Sequence, residues 1–289
     1  MNILITGSSG FVGSYLVDKL LPKNKIIGIN LNKDKKRHGF SFIQKDITKI
    51  STDDLPSKID AIVHLAAITD VQYCKANPQE CFVTNVLGTQ KMLEIARKKD
   101  AKMVYASTSH VYGSPRTNPI SEDSQTKPLS IYASTKLNGE VSCEGYAMSY
   151  GMDISIVRLF SIYGPNSPPH LVTSRIISQL DQDTIKIGNL HTIRDFVYIT
   201  DVVRAIETVM KRSNGFDVYN IGSGKGTSVL EIYNLLKRIS KKNPKIRPIK
   251  SLIRKNDVKE ITANISKIRK IGWKPTVSLK EGLHLTLNW

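Results

Sequence analysis

The stretch that most constrains this chain is its start. Asn2-Ile-Leu-Ile-Thr6 is a short apolar, β-branched run of the kind buried as a strand in a parallel sheet. It passes without a linker into Gly7-Ser-Ser-Gly10-Phe-Val-Gly13. Apolar residues at helical spacing follow, Tyr15-Leu16-Val17 and Leu20-Leu21, stopped by Pro22. A strand that feeds a glycine turn opening a helix is half of a parallel β-α-β unit. The glycines let the backbone turn tightly and approach phosphates, and the helix N-terminus offers N–H groups and a positive dipole. The spacing is G-x-x-G-x-x-G and not G-x-G-x-x-G. Gly7, Gly10, Phe11, Val12 and Gly13 therefore read as a turn for a dinucleotide pyrophosphate.

The second strand, Ile26-Ile-Gly-Ile29, ends in Asn30. A NAD-binding unit usually carries Asp or Glu there, to accept from the adenosine ribose hydroxyls. Asn30 is neutral, and the cations Lys33, Lys35, Lys36 and Arg37 follow, which suit a 2′-phosphate. NAD is the expected cofactor, with NADP possible from this segment. Phe42-Ile-Gln-Lys-Asp46-Ile47 reads as a third strand ending in a carboxylate, with Asp46 and Ile47 placed to meet adenine. Ala61-Ile-Val-His-Leu-Ala-Ala67 reads as a fully buried strand whose small-residue end, Leu65, Ala66 and Ala67, lets a cofactor lie close to the backbone. Asn85 reads as the opening of a helix, with its amide near the cofactor. The strand Met103-Val-Tyr-Ala-Ser107 runs into Thr108-Ser109-His110-Val111-Tyr112-Gly113, a hydroxyl cluster where open α/β sheets place their ligands. Strands and helices alternate throughout, which predicts an α/β fold, a Rossmann-type doubly wound parallel sheet.

Tyr132-Ala-Ser-Thr-Lys136 places a phenol and an ammonium one helical turn apart. An adjacent cation favours the ionised form of a phenol, which makes Tyr132 a candidate acid/base. Alone, Tyr-x-x-x-Lys is a common accident of helices; the glycine turn and the hydroxyl cluster upstream give it meaning.

Gly7/Gly10/Gly13, the hydroxyl residues before Val111-Tyr112-Gly113, and Tyr132 with Lys136 together resemble the extended short-chain dehydrogenase/reductases. Within them the chain looks most like the NAD-dependent nucleotide-sugar epimerases, dehydratases and reductases. The similarity continues through Arg158-Leu-Phe-Ser161-Ile-Tyr-Gly-Pro165, Arg194-Asp195-Phe-Val-Tyr-Ile-Thr-Asp201, Tyr219-Asn-Ile-Gly-Ser-Gly224, Arg254-Lys-Asn-Asp257, Ala263-Asn264 and Gly272-Trp-Lys-Pro275. The resemblance implies a Thr108–Tyr132–Lys136 catalytic set, with Ser107, Tyr132 and Lys136 also touching the cofactor. It implies substrate contacts from Thr108, Ser109, Tyr132 and Ser161, the last standing where the family usually has asparagine. Arg194 and Arg254 are expected to clamp a nucleotide diphosphate, since guanidinium binds phosphate oxygens in pairs. Asp195 and Asp201 are expected to orient loops and cap a helix. A 4-epimerase of a nucleotide-diphosphate sugar is the first expectation, and an NADPH-dependent reductase of a 4-keto-6-deoxy sugar is the alternative. A 4,6-dehydratase ranks lower, because that subgroup places Asp-Glu where this chain has Ser109 and His110. A homodimer through the helix of Tyr132 and its neighbour is expected by resemblance. Residues 1–163 are read as the nucleotide-binding domain, to which the chain returns around 198–224, and 164–289 as a smaller α/β substrate domain.

Composition sets outer bounds. The net charge of +17 (42 basic minus 25 acidic residues) would attract polyanions, but the lysines are scattered and no aromatic residues interleave their clusters. Nucleic acid is thus not an expected partner, and a non-catalytic regulator on this fold ranks last. No apolar run approaches the ~18 residues of a membrane span. Strand-like sequence from Asn2 leaves no room for a leader, and Cys74, Cys81 and Cys143 form no C-x-x-C pair. The expectation is a cytoplasmic protein with reduced thiols. His64, His110 and His170 lack metal-ligand spacing, so no metal is expected; His110 reads as a polar neighbour of the site.

Overall fold

The computed structural model describes residues 1–33, 37–253 and 258–289. In chain order the first half contains β1 (Asn2–Thr6), α1 (Phe11–Leu20), β2 (Lys25–Asn30), β3 (Phe40–Gln44), β4 (Ala61–His64), α2 (Val71–Ala76), α3 (Pro78–Phe82), α4 (Gly88–Lys99), β5 (Lys102–Thr108) and α5 (Ile131–Tyr150). The second half contains β6 (Ile154–Leu159), β7 (Ser161–Tyr163), α6 (Val172–Ile177), β8 (Thr184–Ile187), β9 (Ile193–Tyr198), α7 (Ile199–Arg212) and β10 (Phe216–Ile221). It closes with β11 (Gly226–Ser228), α8 (Val229–Ser240), β12 (Lys245–Pro248), β13 (Glu260–Ile261), α9 (Ser266–Lys270) and α10 (Leu279–Leu287).

Seven strands form one parallel sheet in the order β10-β6-β5-β4-β1-β2-β3, the expected Rossmann-type fold. Strand period 2 sends Ile3 and Ile5 into one core, with Leu16, Val17 and Val203 of α1 and α7. Leu4 points into the other, with Met92, Leu93 and Cys143 of α4 and α5. Both faces are covered, which is why the strands read as unbroken apolar runs. Strand order reverses at β1, so a crevice opens beyond the C-terminal ends of β1 and β4. A second layer of β7, β9, β11 and β13, with a β8–β12 pair, lies beside it.

Two buried aspartates brace that second layer. Asp195 accepts from Ser223 N–H and Oγ–H (2.6 Å each), Gly224 N–H and Ala263 N–H. Asp201, in the first turn of α7, accepts from Thr276 N–H and Val277 N–H at 3.0 Å. Charged groups this deep persist because each oxygen is hydrogen-bonded.

Four sequence expectations need correction. β3 ends two residues before Asp46, whose carboxylate instead accepts from Thr48 N–H and Oγ–H at 2.8 Å. β4 stops at His64, because Leu65 and Ala66 N–H donate to Thr6 Oγ1. Asn85 opens no helix: it sits in a π-helical turn, Val83–Leu87, joining α3 to α4. Cys74 and Cys81 are not separate reduced thiols but a disulfide, since the break at Asn77-Pro78 folds α2 against α3. Cys143 is free and buried. Among the described residues, no helix is long and apolar enough to cross a membrane.

Candidate active site

A cleft of about 920 Å³ occupies the crevice and extends to the second layer. Gly7, Gly10, Phe11, Val12, Gly13, Asn30, Asp46, Ile47, Leu65, Ala66 and Ala67 all line it, as do Ser107, Thr108, Ser109, Tyr132, Lys136, Ser161 and Arg194. Asn85 does not. It is buried one layer behind, accepting from Ile68 N–H (2.8 Å) and donating to Ile68 O (3.0 Å) and Thr135 Oγ1 (3.0 Å). Ile68 belongs to the cleft wall, so Asn85 ties that wall to α5. Arg254 lies outside the described residues.

The glycine turn is a cradle that side chains would fill. Gly7 has φ +71°, and a Cβ there would lie 3.0 Å from Ala66 N. A Cβ on Gly13 would lie 2.1 Å from Gly7 O. Gly10 is the N-cap of α1 and has no side chain to satisfy the first-turn N–H groups. This shape and these donors fit a dinucleotide pyrophosphate. Of the cations that suggest NADP, Arg37 pairs with Asp18 of α1 at 3.0 Å and lies over Phe40, and Lys33 is exposed and outside the cleft lining. Lys35 and Lys36 lie outside the described residues. The Asn30 amide is engaged too, donating to Ser9 Oγ and accepting from Leu31 N–H.

Thr108 ends β5, and Tyr132 stands in the first turn of α5, which Ser130 caps. Both hydroxyls face the same cleft. Burial pushes the Tyr132 phenol up to about 12, against a smaller lowering by Thr108. Burial likewise pushes the Lys136 ammonium down to about 8. The expectation that Lys136 depresses the tyrosine is not met within the protein itself. Its Nζ sits 4.6 Å from the Tyr105 ring centroid, and desolvation outweighs any mutual effect.

Several cleft residues were not visible as site residues in the sequence. His110, read there as merely polar, lines the cleft with its ring 6.1 Å from that of Tyr132. Arg175 adds a cation on the far side, from a six-residue helix that no recognisable segment marks. Asn189 and Thr192 come from the turn before β9. Among the described residues, no cluster of His, Cys, Asp and Glu is arranged to hold a metal.

A family model described as GDP-mannose 4,6 dehydratase matches residues 4–286. The chain is 35% identical to a UDP-glucuronate 4-epimerase of Thermodesulfobacterium geofontis over 310 residues, covering 99% of this chain and 95% of that one. It is 35% identical to a putative UDP-glucose 4-epimerase of Methanocaldococcus jannaschii over 301 residues, covering 99% and 97%. The structure superposes on UDP-glucuronic acid 4-epimerase from Bacillus cereus, solved with UDP-glucuronic acid and NAD, with TM-score 0.93, 33% identity and coverage of 100% and 98%. With the glycine cradle, the Thr108–Tyr132 pair and Lys136 in one cleft, these matches mean that the chain belongs to the GDP-mannose 4,6 dehydratase family, in the nucleotide-sugar epimerase/dehydratase group of the extended short-chain dehydrogenase/reductases.

Proposed function

We propose that the protein is an NAD-dependent nucleotide-sugar 4-epimerase. The observation that carries this is that Thr108, Tyr132 and Lys136 line the same cleft as the Gly7–Gly13 cradle, with no carboxylate at positions 109 and 110. Tyr132 takes the proton from the sugar 4-hydroxyl and returns it after the 4-keto sugar has turned over. Thr108 holds the reacting oxygen, and Lys136 holds the nicotinamide ribose. NAD, when bound, supplies the acceptor and later the donor of the C4 hydride, and a positive ring that favours the phenolate. Arg194 and Arg175 are suited to the diphosphate, with Arg254 expected to join them, and Ser109 and Ser161 to the sugar. Ser109 and His110 cannot replace the Asp-Glu pair of the dehydratases, which is why dehydration is not proposed.

The Rossmann-type sheet would hold the cofactor, as a domain of residues 1–163 with the chain returning to it through β10, and residues 164–289 would mainly hold the nucleotide sugar. The cytoplasm, where NAD and nucleotide sugars are made and used, is its proposed compartment. The test is mass spectrometry of the molecule released on denaturation, followed by incubation with UDP-sugars. NAD and equilibration of 4-epimers are expected; steady consumption of added NADPH would replace this reading by the reductase.

A homodimer is part of the reading. Val141 and Met148 are 63% and 68% exposed and follow i, i+7 on α5, with Gly145 between them and Phe82 and Leu87 exposed on the adjoining helical run. Apolar side chains clustered on neighbouring helices mark an interaction face. Sedimentation equilibrium should report a dimer that Val141→Glu with Met148→Glu converts to monomer. A monomeric parent protein would contradict it.

A further inference from the structure

Arg158 is the start of a family-like segment, yet the reaction described above has no use for it. Its position in the sheet is informative. Arg158 and Ser107 are register partners on β6 and β5, so their side chains leave the same face. α5 covers that face, and Glu140 reaches both. Arg158 NH2 donates to Glu140 Oε2 at 2.7 Å, and Arg158 Nε donates to the same carboxylate at 3.1 and 3.2 Å. Ser107 Oγ–H donates to Glu140 Oε1. Arg158 NH1 is fixed in turn by Tyr112 Oη (2.9 Å) and Glu122 O (2.8 Å). Glu140, Arg158 and Ser107 are 5%, 6% and 3% exposed. The set is dry, and its geometry is over-determined.

Two features connect this cluster to the cleft. Ser107 lines it, and a hydroxyl has one proton; with that proton given to Glu140, Ser107 can only accept from a bound ligand. Glu140 also lies one helical turn after Lys136. The other groups facing Lys136 carry no negative charge. Tyr105 and Tyr132 are phenols pushed up by burial, Cys143 is a thiol pushed up by burial, and His64 is an imidazole pushed down to about 3. Glu140, in direct ion pair with Arg158, is thus also the carboxylate one helical turn from Lys136, whose ammonium it favours.

We infer that Glu140 is a positioning residue for the cofactor side of the site: gripped by Arg158, it fixes Ser107 as an acceptor and provides the counter-charge that keeps Lys136 an ammonium. This rests on the reading of Lys136 as the ribose ligand. Arg158 meters the effect, because the charge it neutralises is lost to Lys136. The two partners therefore act on Lys136 with opposite sign, which a purely structural ion pair would not do.

Trace acetylation of the purified protein with acetic anhydride from about pH 6 to 10, read by peptide mass spectrometry, titrates Lys136 directly. The parent midpoint is expected near 8. Glu140→Gln should move it to lower pH by about 1 unit, and Arg158→Gln to higher pH by a similar amount. A Lys136 midpoint that stays put in both variants, with only thermal stability lowered, overturns the inference. If Glu140→Gln does not fold, the sign of the shift in Arg158→Gln decides alone. The labelling needs no sugar turnover, so a protein inactive on every nucleotide sugar leaves this test intact while failing the reading above.

Discussion

Tyr132→Phe should lower kcat by about 10³-fold, the middle of the range for a positioned acid/base, while the protein still purifies with its cofactor. That loss corresponds to about 4 kcal/mol of transition-state stabilisation. The ring packs in a small cluster with Cys74, Cys81, Ile68 and Val71, and phenylalanine keeps that packing. What disappears is the hydroxyl that shares the cleft with Thr108. Because burial holds the phenol near 12, Tyr132 is neutral at pH 7 until a cation adjoins it. The positive ring that NAD would bring is the proposed means of lowering it. Stopped-flow absorbance of the cofactor with a nucleotide sugar checks this: reduction should vanish in the variant. Turnover within a few fold of the parent would remove Tyr132 from the chemistry.

Gly13→Ala should act on the other half of the site and do the opposite, abolishing cofactor retention while Tyr132 stays in place. The added methyl would lie 2.1 Å from Gly7 O and 2.9 Å from Gly7 C and Ser8 Cα. All three are backbone of the turn itself, so no side chain can swing aside. The turn must open, which destroys the cradle and costs about 1–3 kcal/mol as an overpacked site. Gly145→Ala is the matched control. Within one chain nothing lies within 4 Å of that Cβ, and in the monomeric Val141→Glu, Met148→Glu background removing a helical glycine should raise stability by about 0.5–1 kcal/mol. Thermal melts and the cofactor content of the purified proteins read both. Full NAD retention by Gly13→Ala would show that the cofactor sits elsewhere.

The contrast between these two sites follows what the sequence could express. The Gly7–Gly13 turn and the Tyr132/Lys136 pair were legible because each depends on spacing within one local element. Ser161 and Arg194 are legible through their neighbours in recognisable segments; Asp46 reads as a strand end, and the structure sets it two residues beyond β3. Asn85 was misplaced because a π-helical turn has no spacing of its own; its amide is set by Ile68 and Thr135, 17 and 50 residues away. The Cys74–Cys81 pairing depends on how α2 folds against α3 across Pro78, which residue counting does not show. Glu140 stands one turn after Lys136, but its partner Arg158 arrives from a strand whose register must first be known. The effect of burial on Lys136 is hidden from the sequence for a related reason. Its height along the helix was visible, but the Tyr105 ring beneath it and the depth of burial were not.

The central claim is that hydride leaves C4 and returns to the same sugar within one cleft. A nucleotide sugar deuterated at C4, incubated without added cofactor in ordinary water, tests it most directly. The 4-epimer should appear with deuterium retained at C4, at a rate slowed by the heavier isotope. Epimer that has lost the label to solvent, or product that forms only as added NADPH is consumed, would contradict it.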